Sequence, residues 1–397
     1  MYHCLVWKEG AIMKQLIFER INKKLTLLND SVEDTGLLSE NIPILLKNLK
    51  IKKPLIVSRG GLQRSHIDAE LKDINYVQFR NFMPNPTAEQ VEEGLQLFKK
   101  ENCDSIISIG GGSAIDVAKA IQAIGQTNSN EVLLNRLTQP NPMDIVHIAI
   151  PTTAGTGSES THFATIYINK KKYSVSDEML LPKIAILDPS LLATLPKYER
   201  CSTYLDAFCH SVESFWSMRS SVESREYSRK AINLLVENVD GYFNGNEKAF
   251  YAAITAANFA GRAINLTTTT AAHAMCYQLT SLYKISHGHA AAMCLPVVWD
   301  YLLEQSIKDE KLKDKLLQLA QIVCQNEDLK NPKEGLNVFL EMFNKANFSE
   351  EWIPNNKEDL DVLVSSVNLQ RLSNFPISIS SDDLKRMYCQ TLWKEKM

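Results

Sequence analysis

Several signals that mark particular classes of protein are missing from this 397-residue sequence. The eight cysteines include no C-x-x-C pair and no framework spacing, which indicates reduced thiols in a cytoplasmic protein. The formal net charge of −3 provides no broad basic surface, so neither nucleic acid nor an anionic membrane is expected as a partner. No apolar run approaches the ~18–20 residues of a membrane span, and residues 1–9 are too interrupted for a signal peptide.

Internal repeats and low-complexity tracts are absent too, so length is the first guide to organisation. A chain of 397 residues is too long for one compact core, which predicts two domains. Met13 begins a more regular segment than the one before it. We therefore interpret residues 1–12 as a dispensable extension or a misplaced start.

The first half of the chain alternates short apolar runs with amphipathic stretches. Helical periodicity is seen at 87–101 and 113–124, and this alternation predicts a parallel sheet covered by helices. Further strands are predicted at 164–168, in a hairpin through 169–171, and at 183–187. The first strand-like runs are residues 54–58, 76–79, 105–109 and 145–150.

The second half has a different character. From about residue 198 the sequence is rich in Ala, Leu and Glu with helical periodicity, and breaks are expected at 241–245 and around Pro354. We therefore predict an α/β domain over residues 1–192 and an all-helical domain over residues 193–397.

Four residues of the second half suggest a metal site. Asp206 and His210 are four apart in a stretch of helix formers without Pro or Gly, so they share a helix face with Cβ atoms roughly 5–6 Å apart. With His273 and His287 they would supply one carboxylate and three imidazoles to Zn²⁺ or Fe²⁺ and leave a position open for a substrate oxygen. Taken singly, each could instead cap a helix, form a salt bridge or pack in the core, but the set of four favours a metal.

A glycine-rich loop follows the strand at 105–109. Residues 110–112 are glycines, which let the backbone approach a phosphate, and the helix that follows offers free N–H groups and a positive dipole end. Ser113 is predicted to be the N-cap, with Asp116 at capping-box spacing. The loop is not G-x-G-x-x-G and follows the third strand, so a plain structural turn is the alternative.

A second polar loop, at 151–159, follows the next strand. Its small and hydroxyl-bearing residues stand at the carboxyl end of a predicted parallel strand, where ligands bind in open α/β sheets. The alternative is a surface turn.

These segments resemble the iron-containing (group III) alcohol dehydrogenase family in order and spacing. The match covers roughly residues 50 to 390 and rests on Gly110 to Asp116, Pro151 to Glu159, Asp206-x-x-x-His210-x-x-Glu213, and His273-x13-His287-Gly288. The resemblance implies a dinucleotide-binding domain over 1–192, a helical metal-binding and substrate domain over 193–397, and a cleft between them for NAD(P) and a divalent metal. It also implies a homodimer.

The resemblance carries roles to individual residues. It implies that Asp206, His210, His273 and His287 hold the metal. The implied cofactor residues are Gly111, Gly112 and Ser113 at the pyrophosphate, Thr152, Thr153, Thr156 and Ser158 along the cofactor, Lys172 at its ribose or phosphates, and Asp116 in the same motif.

Two positions depart from the family pattern. Many members have a further histidine, interpreted as a proton relay, where this chain has Tyr277, whose phenol has an ordinary pKa near 10 and is a poorer relay at neutral pH. NAD-preferring members end the first strand in an acidic residue, but here Arg59 follows it, with Arg64 nearby. A guanidinium suits a 2′-phosphate, so NADPH is favoured over NADH; a surface arginine is the alternative.

A narrower resemblance is to the phosphonoacetaldehyde reductase branch, which makes 2-hydroxyethylphosphonate. It rests on residues 260–265, 273–289 and 367–374. That branch often has Lys at the position of Thr268, so the charge for a dianionic substrate would have to come from Arg262, Lys284 or Arg371.

The predicted reaction is reversible hydride transfer between the nicotinamide and the carbonyl carbon of a small aldehyde held on the metal, with a proton from water, the cofactor ribose or Tyr277. His289 could orient a ligand or simply pack in its helix. The alternatives are a dehydrogenase for another small aldehyde or polyol, a dehydroquinate-synthase-like lyase, and a protein that binds metal without turnover.

Overall fold

The computed structural model describes residues 2–8, 12–18, 25–28, 31–34, 38–64, 67–128, 131–169, 171–348, 358–367 and 369–393, with side chains from residue 42 onward except 369 and 370. The chain divides into two compact units, residues 1–195 and 196–397. In the described ranges no helix is long and apolar enough to cross a membrane.

The first unit is built on a seven-stranded sheet. Its strand order is β3-β4-β11-β8-β7-β5-β6, and every neighbouring pair is parallel except β3 with β4. The pairs β1–β2 and β9–β10 form two separate antiparallel hairpins. The strands are β1 Tyr2–Lys8, β2 Ile12–Phe18, β3 Leu25–Leu28, β4 Ser31–Asp34, β5 Pro54–Val57, β6 Val77–Phe79, β7 Ser105–Gly110, β8 Val146–Pro151, β9 Phe163–Ile168, β10 Lys171–Ser176 and β11 Ile184–Leu187.

Among the described residues of the first unit, six helices accompany this sheet. Their bounds are α1 Leu38–Asn48, α2 Gly61–Arg64, α3 Ile67–Glu70, α4 Ala88–Lys100, α5 Gly112–Ile124 and α6 Leu133–Thr138. Short 3-10 helices are found at Ser158–Ser160, Glu178–Leu180 and Pro189–Leu192.

The sheet separates two apolar clusters, because successive side chains of a strand point to opposite faces. Along β5, Leu55 and Val57 belong to one cluster and Ile56 to the other. Burial on both faces explains why these strands read as continuous apolar runs. The predicted α/β architecture and parallel sheet are confirmed, and so is the hairpin, in which Ile168 pairs with Lys171.

Within the described part of the second unit every regular element is a helix, as predicted. Helix α8 continues through Gly241, so the expected break begins only after Phe243. A glycine inside a helix costs only about 0.5–1 kcal/mol relative to alanine, so Gly241 alone does not end α8. The break expected around Pro354 lies outside the described residues.

The helices of this unit are α7 Lys197–Trp216, α8 Val222–Phe243, α9 Lys248–Thr267, α10 Ala271–Tyr283, α11 His287–Ser306, α12 Glu310–Val323, α13 Lys333–Ala346, α14 Leu360–Ser365, α15 Leu369–Leu372 and α16 Ser381–Trp393.

Candidate active site

Helix α7 carries the first two predicted metal ligands on one face. Asp206 and His210 are both buried, and the Nε2 atom of His210 lies 3.9 Å from Oδ1 of Asp206. The i, i+4 spacing accounts for this proximity.

His273 joins them from the first turn of α10. Its Nε2 lies 3.3 Å from Oδ1 of Asp206, and its ring stacks on that of His210 with centroids 4.5 Å apart. One ligand atom from each of the three residues lies within 4.8 Å of the others. Sequence positions 206, 210 and 273 thus converge on a single buried point.

His287 opens α11 beside this group. Its ring centroid is 5.3 Å from that of His273, and its Nδ1 is 3.6 Å from Sγ of Cys276. The close approach of α11 to α7 depends on Gly288, since a Cβ there would lie 2.2 Å from the carbonyl oxygen of Ser202. The role of His287 as a fourth metal ligand stays a prediction.

The donor set fits a divalent ion. Three imidazoles and one carboxylate are the ligand types that Zn²⁺ and Fe²⁺ accept in proteins. Burial alone would raise the pKa of Asp206, but the charges of His210, His273 and His287 together outweigh it and lower that pKa. The carboxylate is therefore held ionised, as a metal ligand must be.

Tyr277 and Arg371 extend the group on the side of His287. The Tyr277 ring lies parallel to that of His287, with an interplanar angle of 5° and centroids 5.6 Å apart. The guanidinium carbon of Arg371 lies 5.5 Å from the centroid of Tyr277, and its Nη1 donates to Oγ1 of Thr269. One ring, that of Tyr277, thus separates this cation from the predicted ligand His287.

The other predicted cations have different surroundings. Arg262 donates through Nε to Oδ1 of Asn258 at 2.8 Å and lies over the ring of Tyr227 on α8. Lys284 folds back to donate to the carbonyl of Ser281 at the end of its own helix. Of the three, Arg371 is the one whose described contacts lead to a predicted metal ligand, through Tyr277 to His287.

His289 packs as an ordinary buried histidine. Its ring stacks on Phe348, its Nδ1 lies 3.1 Å from the hydroxyl of Tyr198, and burial lowers its pKa to about 4. Since Tyr198 is on α7 and His289 on α11, this contact links two of the helices that carry the predicted metal ligands.

In the first unit, the two predicted cofactor loops lie side by side. Gly110 pairs with Pro151, and the amide of Thr152 donates to the carbonyl of Gly110 at 3.0 Å. A Cβ on Gly112 would lie 2.9 Å from Cγ2 of Thr156, so glycine is needed for the loops to approach. A Cβ on Gly111 would lie 3.2 Å from Cγ2 of Thr153, which is a less severe contact.

Ser113 is not the N-cap of α5, and that prediction is wrong. The helix begins two residues earlier than that cap would place it, at Gly112, with Gly111 as its N-cap, because glycine can start the helix directly at the strand end. Ser113 therefore lies in the first turn. Asp116 instead accepts hydrogen bonds from Oγ of Ser158 at 2.6 Å and the amide of Thr165 at 2.9 Å.

Sequence reasoning gave no role to Lys119, which turns out to hold the second loop. Its completely buried ammonium group donates to the carbonyl of Ser158 at 2.6 Å, Oγ1 of Thr161 at 2.9 Å and the carbonyl of Phe163 at 2.9 Å. Burial lowers its pKa to about 8, against the opposing charges of Asp116 and Glu159. Its position three residues after Asp116 on an otherwise apolar helix was the available signal.

Lys172 and Arg59 flank these loops in different ways. Burial raises the pKa of Asp116, and the charge of Lys172, on β10, is one of the smaller effects that oppose this rise. Arg59 is exposed just past β5, and its carbonyl accepts a hydrogen bond from Nε of Arg80 at 3.2 Å. Arg64 donates to the carbonyl of Gly60. Arg80, which sequence reasoning did not single out, thus adds a third exposed guanidinium beyond the carboxyl ends of β5 and β6.

Comparison with known proteins agrees with this fold. The model of the iron-containing alcohol dehydrogenases matches residues 35–189, and that of the C-terminal part of the Fe-containing alcohol dehydrogenase family matches residues 200–392. The chain belongs to the iron-containing alcohol dehydrogenase family. The predicted family, fold class and enzyme class are confirmed: the protein is an oxidoreductase of the alcohol dehydrogenase type.

Individual relatives differ in substrate. Alcohol dehydrogenase 4 of Saccharomyces cerevisiae is 32% identical over 329 residues, 80% of this chain and 83% of that protein. Phosphonoacetaldehyde reductase of Streptomyces viridochromogenes is 36% identical over 203 residues, 48% of this chain and 51% of that protein. Among solved structures, the alcohol dehydrogenase from Oenococcus oeni superposes with a TM-score of 0.82 at 27% identity, covering 93% of this chain and 100% of that one.

Proposed function

We propose that the protein reduces phosphonoacetaldehyde to 2-hydroxyethylphosphonate with NADPH. Asp206, His210, His273 and His287 would hold a divalent ion, Fe²⁺ or Zn²⁺. When bound, the ion supplies Lewis acidity for a carbonyl oxygen, and the nicotinamide supplies the hydride. The proposed substrate rests on the position of Arg371. Its guanidinium lies over the ring of Tyr277, and that ring stacks on the ring of His287.

Arg371 is the residue to which we assign the phosphonate. A dianion is too costly to desolvate without a paired cation, and an arginine fork can hold two of its oxygens at once. The 36% sequence identity over 203 residues to a phosphonoacetaldehyde reductase supports the same substrate. Arg262 ranks second, because the described contacts of its guanidinium are on the α8–α9 side, whereas Arg371 lies over Tyr277, next to His287.

For the cofactor, the exposed guanidinium groups of Arg59, Arg64 and Arg80 support NADPH. Phosphate oxygens accept charge-assisted hydrogen bonds from such groups, whereas an NAD ribose needs an acceptor. The paired loops around Gly112 and Thr156 would take the pyrophosphate, since free helix amides and a positive dipole end favour it. A cytoplasmic location and a homodimer remain predictions.

The decisive comparison uses two aldehydes of similar size. Phosphonoacetaldehyde is expected to exceed propionaldehyde in kcat/KM by at least about tenfold, which is ~1.4 kcal/mol of transition-state preference. Arg371→Gln, which keeps a hydrogen-bond donor for Thr269 but removes the charge, should erase this advantage mainly through KM. Arg262→Gln is the matched control and should lose less of it.

Following NADPH oxidation also separates the alternatives. Comparable rates on both aldehydes, or an advantage that survives the loss of both arginines, would point to a dehydrogenase for another small aldehyde or polyol. A dehydroquinate-synthase-like lyase would use the nicotinamide without net oxidation.

A further inference from the structure

Glu213 lies on the same face of α7 as Asp206 and His210, at i+7 and i+3 from them, and its side chain is completely buried. It belongs to none of the roles assigned above. Its carboxylate meets the start of α10, the helix that carries His273.

One carboxylate oxygen of Glu213 caps α10. Oε1 accepts hydrogen bonds from the amide of Thr270 at 3.0 Å, its hydroxyl at 2.6 Å and the amide of Ala272 at 3.0 Å. Thr270 is the N-cap residue, but its own side chain makes no cap hydrogen bond; its hydroxyl instead accepts from Nε1 of Trp216. Since the first amides of a helix lack acceptors within it, α7 supplies the cap from outside.

The other oxygen of Glu213, Oε2, is hydrogen-bonded to Nδ1 of His273. All partners of Oε1 are donors, so nothing in this network requires a proton on Glu213, and an ionised carboxylate can only accept. Nδ1 therefore carries a hydrogen, and in the neutral ring, which is the form that binds a metal ion, Nε2 is unprotonated. Nε2 is the atom that faces Oδ1 of Asp206.

We propose that Glu213 is a positioning residue of the metal centre, which selects the His273 tautomer that presents Nε2 to the ion and fixes the ring to the start of α10. The inference rests on the metal centre proposed above. Histidine ligands commonly donate their second nitrogen to a carboxylate, and loss of such a partner costs 10–100-fold in metal affinity.

Glu213→Gln tests this proposal with little change in shape. The four donors around Oε1, which are the hydroxyl of Thr270 and the amides of Thr270, Ala272 and His273, hold the amide oxygen there, so the amide NH₂ must face Nδ1 and favours the opposite tautomer. Zn²⁺ affinity of the metal-free protein, measured against a competing chelator, should fall by roughly 10–100-fold. Thr270→Val removes a donor from the same cap without altering the Glu213–His273 contact, so it should lower Tm but lose much less Zn²⁺ affinity.

A measurement on the unmodified protein decides the case even if Glu213→Gln does not fold. With ¹⁵N-labelled histidine, the metal-free protein at a pH that leaves one proton on the ring should show it on Nδ1 of His273. The proposal is overturned by a proton on Nε2, by unchanged Zn²⁺ affinity in Glu213→Gln, or by an equal loss in Thr270→Val. Failure of the unmodified protein to bind a divalent ion would instead overturn the proposed function.

Discussion

His273 is the residue on which the proposed metal centre most depends, because both of its ring nitrogens are engaged, one by Glu213 and one facing Asp206. Replacing it with alanine removes a ligand and leaves Glu213 buried without that donor. We expect His273→Ala to lose the ion and to lower kcat/KM by orders of magnitude.

The matched control is His289→Gln, because His289 is an equally buried histidine whose partners are Tyr198 and Phe348. It should lower Tm and retain the ion. Metal analysis that finds a stoichiometric ion in His273→Ala, together with normal turnover, would rule out His273 as a ligand.

Cofactor preference is also set by single residues. Arg59→Asp should shift kcat/KM toward NADH by about 1–3 kcal/mol, the value of a charge-assisted contact to the 2′-phosphate. Arg80→Ala should raise KM for NADPH and leave KM for NADH nearly unchanged. Steady-state kinetics with both cofactors provides the check, and equal or better use of NADH by the unmodified enzyme would refute the assignment.

Single residues also show where sequence reasoning succeeded and failed. Asp206 and His210 could be paired from spacing alone, because helical geometry fixes i, i+4 neighbours. The roles of Glu213 and Lys119 could not be assigned from spacing, because their hydrogen-bond partners lie on other elements and are brought to them only by tertiary packing. Ser113 was misplaced by two helix positions, because a cap-forming side chain also fits the first turn, and glycine is an acceptable cap.

Among elements, the contact of α7 with α11 near the site leaves no room for a side chain at Gly288. A Cβ on Gly288 would lie 2.2 Å from the Ser202 carbonyl oxygen and 2.8 Å from Cβ of Asp206, and neither atom can move without moving α7. Gly288→Ala should therefore destabilise the protein by roughly 1–3 kcal/mol or more and weaken Zn²⁺ binding.

Gly241→Ala is the control for this prediction. Gly241 is also inside a helix, its nearest obstacle is a methyl group at 3.2 Å, and alanine favours helix by about 0.5–1 kcal/mol. Its Tm should change little. Chemical denaturation and Zn²⁺ titration of both variants provide the measurement, and equal effects would show that the α7–α11 contact is not special.

Most elements were predictable because their patterns are local. The runs at 54–58 and 105–109 form β5 and β7, and the periodic stretch at 87–101 forms α4 behind Thr87. The order of strands was not predictable in detail. It depends on β11 pairing with both β4 and β8, contacts between segments far apart in the chain.

For the molecule as a whole, His147 should contribute to acid sensitivity. It is buried on β8, with Nε2 2.9 Å from Oγ of Ser108, and burial, aided by the charge of Lys119, lowers its pKa to about 3. The unfolded value is about 6.5, so the unfolded chain binds one more proton between these values. Stability is therefore lost as pH falls from about 6.5 toward 3, by up to about 1.4 kcal/mol per pH unit.

His147→Gln removes this titration and should flatten the pH dependence of the unfolding free energy in that window, whatever its effect at neutral pH. Urea denaturation of both proteins in metal-free buffer at several acidic pH values supplies the slopes. Parallel slopes would contradict the account of His147.

The central claim is that the four residues at 206, 210, 273 and 287 hold an ion that the reaction requires. The most direct test removes the metal with a chelator, assays NADPH-dependent aldehyde reduction, and restores Fe²⁺ or Zn²⁺ separately. We expect about one divalent ion per chain, loss of aldehyde reduction when the ion is removed, and recovery of activity when at least one of the two ions is restored. Full aldehyde reduction by the metal-free protein would contradict it.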